Sequence, residues 1–106
     1  MTPLSRMTPA TADVLRALLD AAGPTWGMLV IKATSRPAGS VYPILERLEG
    51  AGWVTSAWEA DSGRSGPRRR LYELTSDGAE AALAAVARFD AVAARPVRLS
   101  GAEAPA

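Results

Sequence analysis

The sequence predicts a mostly helical α+β fold: three helices, a two-stranded hairpin and a last helix. Three observations predict it. Val41, Ile44, Leu45 and Leu48 sit at i, i+3, i+4 and i+7, one stripe of an α-helix. Residues 53–59 and 68–74 are short runs rich in aromatic and β-branched side chains or in alternation, and they read as strands. Between them, residues 60–67 are rich in Gly, Ser and Pro and read as a loop. A helix with one polar face, followed by a hairpin with a basic, Gly-rich tip, is the outline of a winged helix-turn-helix.

The elements follow in order. Residues 1–7 read as a flexible start. Thr8 is an N-cap and Pro9 suits the first helical position, so a first helix runs to about Ala22. Val14, Leu15, Leu18 and Leu19 form its apolar side, and Asp13 and Arg16 make an i,i+3 pair. Gly23 and Pro24 break the chain. A second helix covers residues 26–34; its middle is apolar almost all round, which predicts burial on more than one side. Residues 34–37 form the next turn. The third helix opens at Pro37 or as late as Ser40–Val41, because Pro43 lacks an N–H for the carbonyl four residues back. A 3₁₀-like or kinked opening accommodates it best. Gly50 and Gly52 end this helix. After the hairpin, Thr75 is an N-cap candidate and Asp77 lies in a first turn, where the helix dipole favours an acid. The last helix runs from about Ser76 to Ala94, with a stripe of Leu83, Val86, Phe89 (or Ala87 and Ala91) and Val92. Pro96 ends it, and residues 96–106 read as a flexible tail.

Composition narrows the functions. At 106 residues the chain is one small domain, and a dimer interface would add useful burial. The net charge is +1, so affinity for a polyanion must come from local clustering. Arg64, Arg68, Arg69 and Arg70 supply such a cluster. The chain has no cysteine, which fits a reducing cytoplasm, and no histidine. Thiolate metal sites, histidine acid–base catalysis and Ser-His-Asp triads are therefore excluded. Nothing pairs a nucleophile with a base, so an enzyme is not expected, and neither is a cofactor or a metal. No run of about 18 apolar residues exists to span a membrane, and the N-terminus lacks the apolar core of a signal peptide.

Two runs carry a resemblance to a known family. One is Ser40-Val41-Tyr42-Pro43-Ile44-Leu45-Glu46-Arg47-Leu48-Glu49. The other is Gly66-Pro67-Arg68-Arg69-Arg70-Leu71-Tyr72-Glu73-Leu74-Thr75-Ser76-Asp77-Gly78. With Ser56-Ala57-Trp58-Glu59 between them, the chain resembles the PadR family of bacterial transcription regulators over about Thr8 to Gly78. The resemblance implies a winged-helix, dimeric, DNA-binding repressor. It divides the chain into a flexible start (1–7), a winged-helix DNA-binding domain (8–78), a C-terminal dimerisation helix (79–95) and a flexible tail (96–106). Many family members carry Tyr-Gly-Tyr-Glu-Ile where this chain has Trp26-Gly27-Met28-Leu29-Val30. A tyrosine and an acid are lost there, so their roles do not carry over.

The expected contacts with double-stranded DNA come from the third helix and the wing. Arg36, Gly39, Ser40, Tyr42, Pro43 and Arg47 lie at the exposed opening and outer face of the helix. Arg36 and Arg47 suit phosphates or guanine, and Arg47 could instead pair with a neighbouring acid. Arg64, Ser65, Arg68, Arg69 and Arg70 lie on the wing, where phosphates or the minor groove are in reach. Alternation points Arg68 and Arg70 one way and Arg69 the other, so the three cannot contact DNA equally. Glu59 and Asp61 would repel phosphate unless they turn away or pair. The bland alternative is a basic edge that keeps the hairpin soluble.

Leu15, Leu18, Leu19, Leu83, Val86 and Phe89 present more apolar surface than the remaining short elements can cover. They are the expected homodimer interface, and a two-fold dimer reads a pseudo-palindromic operator. Some members of the resembled family bind planar hydrophobic molecules between protomers. Trp26 is accordingly the candidate for an effector pocket, although a tryptophan is more often core. The competing reading is a winged-helix protein–protein interaction module that does not touch DNA. The basic wing and the Val-Tyr-Pro helix favour DNA.

Overall fold

The structure, a computed structural model, describes residues 1–60 and 66–94. Its elements are α1 (Pro9–Ala21), β1 (Thr25–Trp26), α2 (Gly27–Thr34), α3 (Ala38–Gly50), β2 (Val54–Trp58), β3 (Arg70–Leu74) and α4 (Ser76–Ala93). The expected helices and hairpin are present. The expected wing-tip residues Asp61, Arg64 and Ser65 and the tail at 96–106 lie outside the described residues.

Local chemistry sets the helix ends. The Thr8 hydroxyl accepts the Thr11 N–H at 3.1 Å, and Pro9 takes the first helical position, where no N–H is needed. Ala22 turns left-handed at φ 55°, ending α1. Ser35 does the same for α2 at φ 57°, and its N–H donates to the Ile31 carbonyl at 2.8 Å. The α2–α3 turn is thus one left-handed residue and two more, Arg36 and Pro37, before α3 begins.

The third helix begins at Ala38, with Pro37 as its N-cap. The Pro37 carbonyl accepts from both Ser40 (2.9 Å) and Val41 (3.0 Å), so the opening mixes a 3₁₀ and an α bond. Pro43 therefore lies inside the helix and withholds an N–H from the Gly39 carbonyl. Burial outweighs that loss: Val41, Leu45 and Leu48 are completely buried and Ile44 nearly so. At about 1.5–3 kcal/mol per buried aliphatic side chain, the stripe contributes several times the value of one hydrogen bond.

Trp26 departs from the sequence expectation. It does not open the second helix; with Thr25 it forms β1, antiparallel to β3, with Thr25 opposite Tyr72 and Trp26 opposite Leu71. The sheet order is β1-β3-β2. In the hairpin Val54 faces Leu74, Ser56 faces Tyr72 and Trp58 faces Arg70. β1 covers one edge of β3, which would otherwise be open to stray pairing.

The N-terminal segment also departs from expectation. Residues 1–7 are docked rather than loose. The Thr2 N–H donates to the Ala51 carbonyl at 2.7 Å, and the Trp53 indole N–H donates to the Thr2 carbonyl at 2.6 Å. Leu4 and Met7 pack against the core. Trp53 is buried, so its indole N–H needs an acceptor, and the segment supplies it.

The core gathers Val14, Leu15 and Leu18 of α1, Val30 of α2, the α3 stripe, Trp53, Val54 and Ala82. Leu15 and Leu18, expected at a dimer interface, are instead buried in the chain's own core, Leu15 completely and Leu18 to within 4%. Leu19 and Val86 pack partly against that core. On α4 the face that docks is centred on Gly78 and Ala82, whereas Leu83 stays 61% exposed. A Cβ on Gly78 would stand 2.0 Å from the Trp53 carbonyl oxygen, so only glycine lets α4 approach this closely. The Thr75 hydroxyl caps the helix by accepting the Gly78 N–H at 2.8 Å.

Candidate nucleic-acid interface

The outer face of α3 follows from its inner one. With Val41, Ile44, Leu45 and Leu48 buried, Gly39, Tyr42, Pro43, Glu46 and Arg47 are exposed and Ser40 is half-buried. Tyr42 lies across the start of α2, where a Cβ on Gly27 would come within 2.3 Å of its hydroxyl oxygen. The ring is thus seated on a bare glycine backbone while remaining 41% exposed. That contact couples the two helices of the helix-turn-helix at the end where α3 opens.

Arg36, in the turn between them, is not a free cation. Its Nε–H donates to Asp13 Oδ2 at 2.9 Å. Asp13 also receives Arg16 at 2.9 Å, and Arg16 reaches on to Asp90 of α4. The expected i,i+3 pair of α1 is thus the middle of a chain of charges joining the turn, α1 and α4. The Arg47 side chain forms no hydrogen bond or ion pair among the described residues.

The wing arginines divide as alternation requires. The Arg69 guanidinium lies 3.9 Å from the centre of the Trp26 ring, a cation–π contact, while its Nε is buried without a hydrogen-bond partner. Its backbone N–H donates to Glu59 Oε1 at 3.1 Å. Arg70 turns the other way. Its Nε–H donates to the Ser56 hydroxyl at 3.1 Å, its guanidinium is 4.0 Å from Glu49 Oε2, and it lies 5.2 Å from the Trp58 ring. Ser56 in turn donates to Glu49 at 2.5 Å. Arg69 and Arg70 thus tie the hairpin to Trp26 and to the end of α3, leaving Arg68 as the exposed wing cation among the described residues. Trp26, the expected effector residue, has a ring face occupied by Arg69.

Tyr72 lies in the middle strand, opposite both Ser56 and Thr25. Burial, and then the nearby Glu49 carboxylate, push its hydroxyl above the ordinary tyrosine pKa. It is a structural member of the sheet, and sequence reasoning assigned it no role. Arg6 was missed as well. It stands beside α3 and Arg47, but it belongs to a segment that reads as loose until the Thr2 and Trp53 hydrogen bonds are known.

The model of the PadR-like transcriptional regulator family matches residues 17–84. The chain belongs to the PadR-like family. Solved structures share the fold. The structure of BpsR from Bordetella bronchiseptica, described by the regulation of its DNA binding by 6-hydroxynicotinic acid, is 29% identical with a TM-score of 0.65. It covers 85% of this chain and 64% of its own, so this chain spans less than two thirds of that protein. A "probable transcriptional regulator" from Pseudomonas aeruginosa is 26% identical at TM-score 0.65, covering 93% of this chain and 73% of its own. A PadR family regulator from Eggerthella lenta shares the fold at TM-score 0.61 and 22% identity, covering 76% and 73%. No curated protein matches the chain. Among the described residues of this PadR-like chain, no helix is long and apolar enough to cross a membrane.

Proposed function

We propose that this PadR-like regulator is a cytoplasmic repressor that binds a pseudo-palindromic operator as a homodimer. The observation that carries the proposal is the outer face of α3. Gly39, Tyr42, Pro43 and Arg47 project from a helix held rigidly by four buried side chains, and Tyr42 is braced on Gly27. A rigid helix presenting small, hydroxyl and cationic side chains suits the major groove. Arg68 on the hairpin supplies a flanking phosphate contact, while Arg69 and Arg70 set the hairpin's orientation.

The dimer uses the exposed side of α4, with Leu83 at its centre and Val86 and Phe89 at its edge; Leu19 of α1 borders it. A small hydrophobic effector releases the protein from DNA; the DNA binding of the Bordetella protein is also regulated by a small molecule, there a polar acid, 6-hydroxynicotinic acid. If it enters at Trp26, it displaces Arg69 from the ring.

The test is an electrophoretic mobility shift on DNA upstream of the chain's own gene. Retardation that survives excess scrambled duplex is expected. A chain that retards no duplex at low salt is instead an interaction module, and the reading fails.

A further inference from the structure

We infer that the docked N-terminal segment is part of the DNA interface, and that Arg6 pairs with Arg47 to clamp a backbone phosphate beside α3. The inference rests on the DNA-binding reading above and extends it to a residue outside the helix-turn-helix and wing.

The observation is a concavity of about 550 Å³ between the N-terminal segment, the start of α1 and the opening of α3. Ser5, Arg6, Thr8, Ser40, Pro43 and Arg47 are among its lining residues, and among the described residues no acidic side chain lines it. Water occupies roughly 30 Å³ per molecule in the liquid, so the space accommodates a phosphodiester and its hydration. Neither the Arg6 nor the Arg47 side chain forms a hydrogen bond or ion pair among the described residues. This separates them from Arg16, Arg36 and Arg70, each of which meets a carboxylate. Two unneutralised cations facing one hollow, with hydroxyls between them, is a local charge excess in a chain whose net charge is only +1.

The segment that carries Arg6 is fixed in place. Thr2 is bonded to Ala51 and to the Trp53 indole, and Leu4 and Met7 pack on the core. Ordering of the backbone around Arg6 has therefore taken place before any ligand arrives, which strengthens a charge-assisted contact. The hollow also adjoins the exposed face of α3 through Gly39, Pro43 and Arg47. A strand whose bases meet that face runs its phosphates past the hollow. Duplex backbone, rather than a free anion, is the ligand this placement fits.

The experiment measures the affinity of the full chain for a 30-base-pair random-sequence duplex between about 50 and 200 mM salt, a range over which phosphate contacts dominate. Operator knowledge is unnecessary, because the claim concerns backbone. Arg6→Ala is expected to unfold at the wild-type temperature, since the guanidinium has no internal partner. It should weaken DNA binding about tenfold and reduce the slope of log K against log salt by about 0.9 for each bound protomer. Arg6→Lys should keep most of that slope. In a second arm, inorganic phosphate replaces chloride at constant ionic strength, and equal effects on wild type and Arg6→Ala are expected. If phosphate raises the unfolding temperature of wild type but not of Arg6→Ala, while duplex affinity and salt slope are the same in both proteins, the hollow is a small-anion site and the assignment to DNA is overturned. Wild-type binding with an unchanged slope in Arg6→Ala overturns this inference while leaving the DNA reading intact. A wild-type chain that binds no duplex removes both.

Discussion

The Tyr42 ring occupies the space in which a Gly27 side chain would stand, with 2.3 Å between a Cβ built there and the phenolic oxygen. Gly27 opens α2 and Tyr42 lies one turn into α3, so the contact sets how the two helices meet. Gly27→Ala forces the ring outward. Overpacking of this kind costs about 1–3 kcal/mol, with the lower end expected here because the ring is partly exposed and can swing. In a Tyr42→Ala background the clash disappears. Alanine's higher helix propensity then makes Gly27→Ala neutral or stabilising by up to about 1 kcal/mol. Denaturant unfolding of the four proteins in this cycle checks the change of sign.

Gly78 presents a harder constraint. Its neighbour at 2.0 Å is the Trp53 carbonyl oxygen, which is backbone and cannot rotate away. Gly78→Ala must push α4 off the α3–β2 connection and disturb the Thr75 cap as well. A loss of about 2–4 kcal/mol is expected, from overpacking together with a weakened cap, and it should exceed that of Gly27→Ala. Thermal unfolding that ranks the two variants in the opposite order would contradict this account.

Much of the fold was legible because it repeats. The period of Val41, Ile44, Leu45 and Leu48 defines α3, and Gly and Pro punctuation marks the hairpin and most helix ends. What was hidden lacks a period. β1 is two residues long, so Trp26 read as helix until its partner Leu71 was known. The docking of residues 1–7 depends on the Trp53 indole, far away in sequence. In the alanine-rich α4, Leu83 and Phe89 drew the stripe toward themselves, while the closest packing uses Gly78 and Ala82, which a hydrophobic pattern underweights. The interface was legible as a set of basic residues but not as a set of free ones. Asp13 holds Arg36 from 23 residues away, and Glu49 with Ser56 engages Arg70.

Tyr72 links stability to alkaline pH. Its folded-state pKa lies above the unfolded one, through burial first and Glu49 second. The folded chain then holds this proton more tightly than the unfolded chain. The stabilising contribution is complete below the unfolded value, about 10, and fades as pH rises through the raised folded value. Wild type should therefore lose stability above about pH 10 more steeply than Tyr72→Phe, which has no proton to lose at this position. Urea unfolding at a series of pH values from neutral to strongly alkaline compares the two slopes.

The proposed dimer depends on the exposed side of α4. Leu83 is 61% exposed, and Val92 further along the same helix is 57% exposed. Leu83→Asp would place two uncompensated charges in a two-fold interface. Burial of an unpaired charge costs about 3–5 kcal/mol, so dimerisation should weaken at least a hundredfold. Since Leu83 contributes little to the monomer core, the fold should persist. Sedimentation is expected to show wild-type dimer and variant monomer at micromolar concentration, each with a native circular dichroism spectrum. A dimer that is unchanged in the variant places the interface elsewhere.

The wing divides its arginines between DNA and the protein itself, and that division can be measured. Arg69 stacks on Trp26 and Arg70 is bound to Ser56 near Glu49, whereas Arg68 is exposed. Arg68→Ala should leave the unfolding midpoint in place and weaken binding to operator and scrambled duplex alike, since a flexible exposed cation mainly meets backbone. Its loss should flatten the salt slope by about 0.9 per protomer. Arg69→Ala should instead lower stability by about 0.5–2 kcal/mol, the range for a cation–π contact that is partly desolvated. Its direct effect on the salt slope should be small. Arg70→Ala falls between them. It releases Glu49, and the freed carboxylate at the end of α3 should repel DNA, so binding weakens although no phosphate contact is removed. The double variant Glu49→Gln/Arg70→Ala removes that repulsion and should recover binding. If Arg69→Ala and Arg68→Ala flatten the slope equally while stability stays constant, Arg69 leaves Trp26 for DNA in the complex, and the stacked arrangement belongs only to the free protein.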